Sequence, residues 1–239
     1  MGHIALEVDG ARVAFTDRHG GVSEPPYDTA NLGFATGDDP NAVSENRRRA
    51  AHELGDAPDV RGWAWVRQVH GARVVEVDAP GSGGDADALV TAGTDVSLVV
   101  LAADCAPIAL IADGVVAAVH CGWRGLVAGV LEAVTRVVRE RSRGSVRAVI
   151  GPCISPAHYE FGADELEQVR RRLGTAVEGR TESGSLALDL RAGVGAALAS
   201  AGVEDRTDVD VCTYASPDYF SHRRDGVTGR QALIVTRPR

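Results

Sequence analysis

Two apolar runs, Ile108–Ala112 and Val115–His120, are separated by nothing but Asp113-Gly114. A two-residue loop of this type closes an antiparallel hairpin, because Gly and Asp tolerate the turn dihedrals that other residues resist. The short loop also fixes the register. Ala112 must face Val115, and counting outward sets Pro107 opposite His120. Cys105 lies two residues beyond Pro107, in the connection ADCAP. It is therefore carried to the same end of the sheet as His120.

A thiol and an imidazole at one strand end admit a metal site, a Cys–His nucleophile pair, or a small core cysteine beside a histidine that caps the strand. His70 ends the strand AWVRQV just before Gly71. It would complete a Cys-His-His set with an open fourth position, as catalytic zinc requires. After His120 the chain runs Cys121-Gly122-Trp123-Arg124-Gly125 into an apolar-periodic helix. Free N–H groups at such a glycine-rich start favour an anion, with Arg124 beside it. Strand alternation turns Cys121 to the face opposite His120. Near the end, FSHRRDGVTGR (Phe220–Arg230) gathers Arg223, Arg224 and Arg230 around Asp225-Gly226. It reads either as an exposed charged hairpin or as a site where guanidinium groups recognise phosphate or carboxylate.

A second Asp-Gly pair, Asp9-Gly10, predicts a hairpin of Ala5–Val8 with Val13–Thr16. Asp39 at an N-cap, Pro40 at the first helical position and Gly55 as a stop predict a helix carrying Asn46 and Arg47. Further strands are expected at Ala64–Val69, Val74–Val77, Ser97–Ala102, Val146–Ile150, Val209–Thr213 and Ala232–Thr236. Helices are expected at Leu126–Arg141, Asp164–Leu173 and Asp189–Ala201, and surface loops at Ala79–Asp87 and Gly179–Ser185. With no internal repeat, this order predicts one α+β domain over residues 1–239, with mixed β-sheets and flanking helices, rather than an alternating barrel.

Composition narrows the chemistry. With 44% hydrophobic and 24% charged residues in 239, the chain can bury a substantial core. All 25 basic residues are arginine, so Schiff-base, pyridoxal-phosphate and Gly-Lys-Ser/Thr phosphate-loop chemistry are excluded. A net charge of −8 without a basic patch argues against nucleic acid as a partner. The N-terminus MGHIALEVDG has neither a basic nor an apolar leader segment, and no apolar run approaches the roughly 18 residues of a membrane span. A cytoplasmic protein that does not engage membranes is expected. Cys105, Cys121, Cys153 and Cys212 are too few for a disulfide scaffold. His-Glu-x-x-His, Gly-x-Ser-x-Gly, Gly-x-Gly-x-x-Gly and the zinc-deaminase His-x-Glu signature are absent, and so are the His-x-His pairs of a trinuclear copper cluster.

The ordered segments FTDRHGGVSEPPYDTANLGFATGDDPNAVSENR, RQVHGARV, DALVT, ADCAPIAL, AVHCGWRGLVAGV, GPCI and FSHRRDGVTGRQA span nearly the whole chain. Together they resemble the YfiH-type family, known both as laccase-domain "multicopper polyphenol oxidases" and as purine nucleoside phosphorylases. The resemblance implies a sandwich-like α+β fold related to the catalytic domain of cytotoxic necrotizing factor, a deamidase toxin. It also implies a zinc held by His70, Cys105 and His120, the three residues at the predicted strand ends. By the same resemblance the substrates are purine nucleosides (adenosine, inosine, methylthioadenosine) and phosphate, with adenosine deamination as a second activity. Asn46, Arg47, Arg124 and Arg223 are then the candidates for holding substrate and phosphate. Where the family commonly reads His-Ala-Gly-Trp, this chain reads His-Cys-Gly-Trp, so Cys121 adds a soft ligand that copper can use.

Three other readings stay open on the residues. Cys105 and His120 can act as a thiol hydrolase pair on amides, including peptidoglycan precursors. The cluster can serve a copper-dependent polyphenol oxidase, or a metal-binding protein without turnover. Nothing in the sequence sets the oligomeric state.

Overall fold

A computed structural model describes residues 1–54 and 60–237. Its strands are β1 (His3–Val8), β2 (Ala11–Thr16), β3 (Trp63–Arg67), β4 (Val74–Glu76), β5 (Gly81–Asp85), β6 (Ala88–Thr91) and β7 (Ser97–Ala102). They continue with β8 (Ala106–Ala112), β9 (Val115–Cys121), β10 (Arg147–Ile150), β11 (Glu178–Arg180), β12 (Leu186–Leu188), β13 (Arg206–Asp208) and β14 (Gln231–Thr236). The helices are α1 (Pro40–Glu53), α2 (Trp123–Ala128), α3 (Val130–Arg141), α4 (Ala163–Leu173), α5 (Leu190–Ser200) and the single turn α6 (His222–Asp225).

Two six-stranded mixed sheets carry the fold, one ordered β1-β2-β14-β7-β3-β5 and the other β13-β10-β8-β9-β6-β4. Period-two alternation gives each sheet two apolar faces. Their inner faces meet through Val13, Phe15, Leu98, Val100 and Leu233 of the first sheet and Ala109, Ile111, Val116 and Ala118 of the second. The outer face of the second sheet, with Ile108, Leu110, Ala117 and Val119, is covered by Val130, Leu131, Val134 and Val138 of α3 and by α4 and α5. On the first sheet, Ala50, Ala51 and Leu54 at the C-terminal end of α1 cover Ala14, Val99, Ala232 and Ile234. The expected α+β sandwich with flanking helices is present.

Both Asp-Gly hairpins form in the expected register, with Val8 opposite Ala11, Ala112 opposite Val115 and Pro107 opposite His120. The Asp39 carboxylate accepts the Asn41 N–H at 2.9 Å and starts α1. The stop expected at Gly55 lies outside the described residues.

Four expectations need correction. The helix expected over Leu126–Arg141 is two helices, because Gly129 takes a φ of 85° and ends α2 with its N–H on the Gly125 and Leu126 carbonyls. The loop expected over Ala79–Asp87 contains β5, which pairs in parallel with β3 and is tied to it at Arg67 and Asp85 by a side-chain ion pair. The strand expected at Val209–Thr213 is displaced to β13, leaving Cys212 as a single bridge to Cys153. FSHRRDGVTGR forms the one-turn α6 rather than a hairpin, with Ser221 Oγ accepting the Arg224 N–H.

Candidate metal centre

Strand topology brings three connections to one end of the sandwich. His70 follows β3, Cys105 sits between β7 and β8, and His120 lies near the end of β9. Their ligand atoms all lie within 4.8 Å of one another. Cys105 Sγ is 4.0 Å from His70 Nε2, and the two imidazole rings meet edge to face at 4.8 Å between centroids. Tetrahedral zinc with bonds of about 2.0–2.3 Å needs donors roughly 3.5 Å apart, so a small contraction would close the set on an ion. One thiolate with two imidazoles is also a donor chemistry that zinc and copper favour. The cluster can hold a metal ion.

Asp87 organises the group, although the sequence reading did not single it out. Its side chain is fully buried immediately before β6. The carboxylate accepts the backbone N–H groups of Val69, His70 and Gly71 at 3.2, 2.9 and 2.7 Å. Those bonds hold His70 in a left-handed conformation, with φ at 58°. The same carboxylate takes the Nδ1–H of His120 at 2.9 Å. His120 is thereby left with Nε2 as its ligating atom, the arrangement in which a carboxylate orients a metal-bound imidazole. A polar residue directly before an apolar strand, as in DALVT, was the only available signal.

Asp104, directly before Cys105, ties that connection to the Thr213 and Arg223 segments. Its φ is 101°, and its carboxylate accepts the Thr213 hydroxyl and the Arg223 N–H, each at 2.7 Å. Gly122 leaves the space the thiol needs, since a Cβ there would lie 2.9 Å from Cys105 Sγ and 3.2 Å from His70 Cδ2. Cys121 points into the core beneath the helices, as strand alternation requires, and burial pushes its thiol well above the usual range.

Burial alone would raise the Cys105 thiol, but the charge and hydrogen bond of His120, with His70 adding, bring it down to about 6. For His120, burial works against protonation, while Cys105 and Asp87 together raise the imidazole to about 9. Without a metal, the pair is a thiolate beside an imidazolium. His120 is buried, Cys105 half-buried and His70 exposed, so the cluster opens toward solvent on the His70 side.

Around it stands an aromatic wall. Trp123 meets Phe161 edge to face at 5.5 Å, and Phe161 meets Tyr159 at 5.3 Å. The Arg124 guanidinium lies 4.3 Å from the Trp123 ring centre, and that of Arg223 lies 4.8 Å from the Tyr159 ring centre. Burial raises the Tyr159 hydroxyl, Cys105 and Asp104 add to that, and Arg223 and Arg124 oppose it, so all five groups share one electrostatic neighbourhood. Arg230 belongs there too, its charge favoured by Cys105 and Asp104 against the effect of burial. Arg224 also feels Asp104, but its guanidinium is spent on the Thr213, Tyr214, Ser216 and Tyr219 carbonyls and on Asp225.

Two further sequence candidates lie elsewhere. Asn46 is fully buried and bonds the loop around it, accepting the Val22 N–H and donating to Ser23 Oγ and to the Thr29 and Asn31 carbonyls. Arg47 sits under α1 against the first sheet, its Nε donating to the Leu32 carbonyl at 2.9 Å. Among the described residues, no helix is long and apolar enough to cross a membrane.

The family model described as "Multi-copper polyphenol oxidoreductase laccase" matches residues 12–238. A purine nucleoside phosphorylase of Streptomyces coelicolor is 46% identical, covering 95% of this chain and 96% of that relative. The crystal structure of YlmD from Geobacillus stearothermophilus superposes with a TM-score of 0.88 at 31% identity, covering 97% of this chain and 93% of YlmD. That of Bacillus licheniformis YfiH gives a TM-score of 0.88 at 26% identity, covering 95% and 92%.

Proposed function

Because the chain belongs to the multi-copper polyphenol oxidoreductase laccase family, some of whose members carry the name purine nucleoside phosphorylase, we propose that it cleaves purine nucleosides with phosphate at the His70–Cys105–His120 centre. The observation that carries this reading is the pairing of a solvent-open donor set with an aromatic wall on its border and the guanidinium groups of Arg124 and Arg223, of which Arg223 gives only Nη1 to the Glu160 carbonyl. Adenosine, inosine and methylthioadenosine fit the wall, where a purine can stack against Trp123, Phe161 or Tyr159. Arg124 and Arg223 meet the phosphate charge, for which a planar fork of donors is well suited.

His70, Cys105 and His120 would hold zinc. Bound there, zinc supplies a Lewis acid that stabilises developing negative charge and lowers the pKa of water, which would serve adenosine deamination as a second activity. The chain's own groups do the rest. Asp87 keeps the proton on His120 Nδ1 and fixes the His70 turn, Asp104 sets the Cys105 loop and the Arg223 backbone, and the aromatic wall excludes water from one side of the substrate. The test is inosine turnover with and without phosphate: phosphate-dependent release of hypoxanthine and ribose 1-phosphate supports the reading, and phosphate-independent release of ribose contradicts it.

One observation favours a second reading. Cys105, depressed to about 6, stands beside an imidazole that Asp87 orients, which is also the disposition of a thiol nucleophile, its base and an orienting carboxylate. Full activity on an amide substrate in excess chelator, abolished by alkylating Cys105, would select this hydrolase.

A further inference from the structure

A cavity of about 450 Å³ is lined by Phe34, Ser44, Arg47, Arg61, Trp65 and Gly81 among others, and His70, Cys105 and His120 are not in its wall. Trp65 lies five residues before His70 on the β3 strand path, on the order of 16 Å at the rise of an extended chain. Its side chain packs against the cluster that includes Ala51 of α1 and Leu54 just past its end, on the outer face of the sheet. Gly81 pairs with Ala64, toward the start of β3, whereas His70 lies past its end. The volume falls within the range of small-molecule sites.

Arg47 gives the cavity its chemistry. Only 5% of the residue is exposed, and its guanidinium lies 4.4 Å from the Phe34 ring centre and 5.8 Å from that of Trp65. Nε is used on the Leu32 carbonyl, while the two terminal nitrogens have no hydrogen-bond partner and no carboxylate among the described residues. Burial without a counter-charge pulls its pKa down to about 10. A buried cation left unpaired is unfavourable, and an anion entering the cavity would offset that cost. Phe34 is half-exposed at the rim, a large apolar ring facing solvent next to a buried cation. The shape and charge call for a ligand that is flat, apolar over its faces and negative at one end.

We propose that this cavity is a second binding site, separate from the metal centre, for an aromatic ring bearing one anionic group, with Arg47 holding the anion and Trp65 and Phe34 contacting the ring. The same chemistry is offered by a nucleoside monophosphate and by an aromatic carboxylate. The proposal does not rest on the phosphorylase reading, since it uses none of the residues at the strand ends.

The test is calorimetric titration of the full chain with adenosine 5′-monophosphate and, separately, with benzoate. At least one probe should bind saturably, at least tenfold more weakly in Arg47→Gln, undetectably in Ser44→Trp, and with unchanged affinity in Cys105→Ala. Tighter binding of the nucleotide points to a phosphate ligand, and tighter binding of benzoate to a carboxylate. Ser44 is exposed on α1 and its hydroxyl donates only to the Pro40 carbonyl, so the bulky substitution fills the cavity without entering the core. Should Arg47→Gln fail to fold, Ser44→Trp decides alone. Absence of saturable binding by either probe overturns the proposal, as does binding that survives Ser44→Trp and is lost in Cys105→Ala.

Discussion

The strand-end cluster and the cavity beside Arg47 both hold polar groups in partly buried surroundings, yet the two are stabilised in opposite ways. At the strand ends, Asp87 and Asp104 accept hydrogen bonds from the histidine turn, from His120 and from the neighbours of Cys105. The donor atoms of His70, Cys105 and His120 gather within 4.8 Å of one another, which suits a cation. Under α1 no carboxylate among the described residues pairs with the Arg47 guanidinium, and the rings of Phe34 and Trp65 lie against it. That composition suits an anion. The contrast shows that what lies behind a ligating side chain, and not the side chain alone, decides the sign of what it will bind.

The largest expected effect breaks the first region outright. Cys105→Ala removes the only thiolate donor of the cluster, so bound metal should be lost and phosphorolysis should fall by ~10³-fold or more; elemental analysis and a turnover assay check both. Next comes Asp87→Ala, which leaves His120 unoriented and the Val69–Gly71 amides unpaired. Metal affinity should weaken roughly 10–100-fold, read by competition with a chromogenic chelator. Gly122→Ala should cost less, about tenfold in kcat, because a methyl group 2.9 Å from Cys105 Sγ pushes the thiol aside without removing it. A variant with full activity would show that the close approach is not needed.

The smallest effects come from pH. In metal-free protein, alkylation of Cys105 should reach half its limiting rate near pH 6, while Cys153, pushed by burial up to about 12, stays unreactive. Stability should scarcely register the same pair. The lowered thiol contributes stability that is lost as pH falls from 9.0 toward about 6, and the raised imidazole contributes stability that is lost as pH rises from 6.5 toward about 9. Between those limits folded and unfolded chains each bind one proton on the pair, so the two slopes cancel. A chemical-denaturation series over pH 6.5 to 9 with a slope tied to Cys105 would contradict the shifts.

How far the sequence reaches differs between the regions for a physical reason. Cys105 and His120 are joined by a hairpin whose register a two-residue loop dictates, so their proximity follows from counting. His70 was marked by its place at a strand end, but its approach depends on a carboxylate that comes seventeen residues later and on a left-handed backbone that no side-chain pattern announces. β5, with the sequence GSGGD, forms because β3 supplies backbone partners, and β6 is buried at every position, so neither shows alternation. Arg47 was legible as a helical residue. The rings against its guanidinium come from the separate segments that hold Phe34 and Trp65, and only the packed sandwich brings them to it.

The most direct measurement is inosine phosphorolysis by one preparation taken through three states: as purified, stripped with chelator, and returned to one equivalent of zinc, with bound metal quantified at each step. About one zinc per chain, activity lost on stripping and regained on reconstitution, and neither occupancy nor turnover in Cys105→Ala, is the expected result. Phosphate-dependent turnover that persists in the stripped protein would contradict a metal centre at His70, Cys105 and His120 as the seat of the reaction.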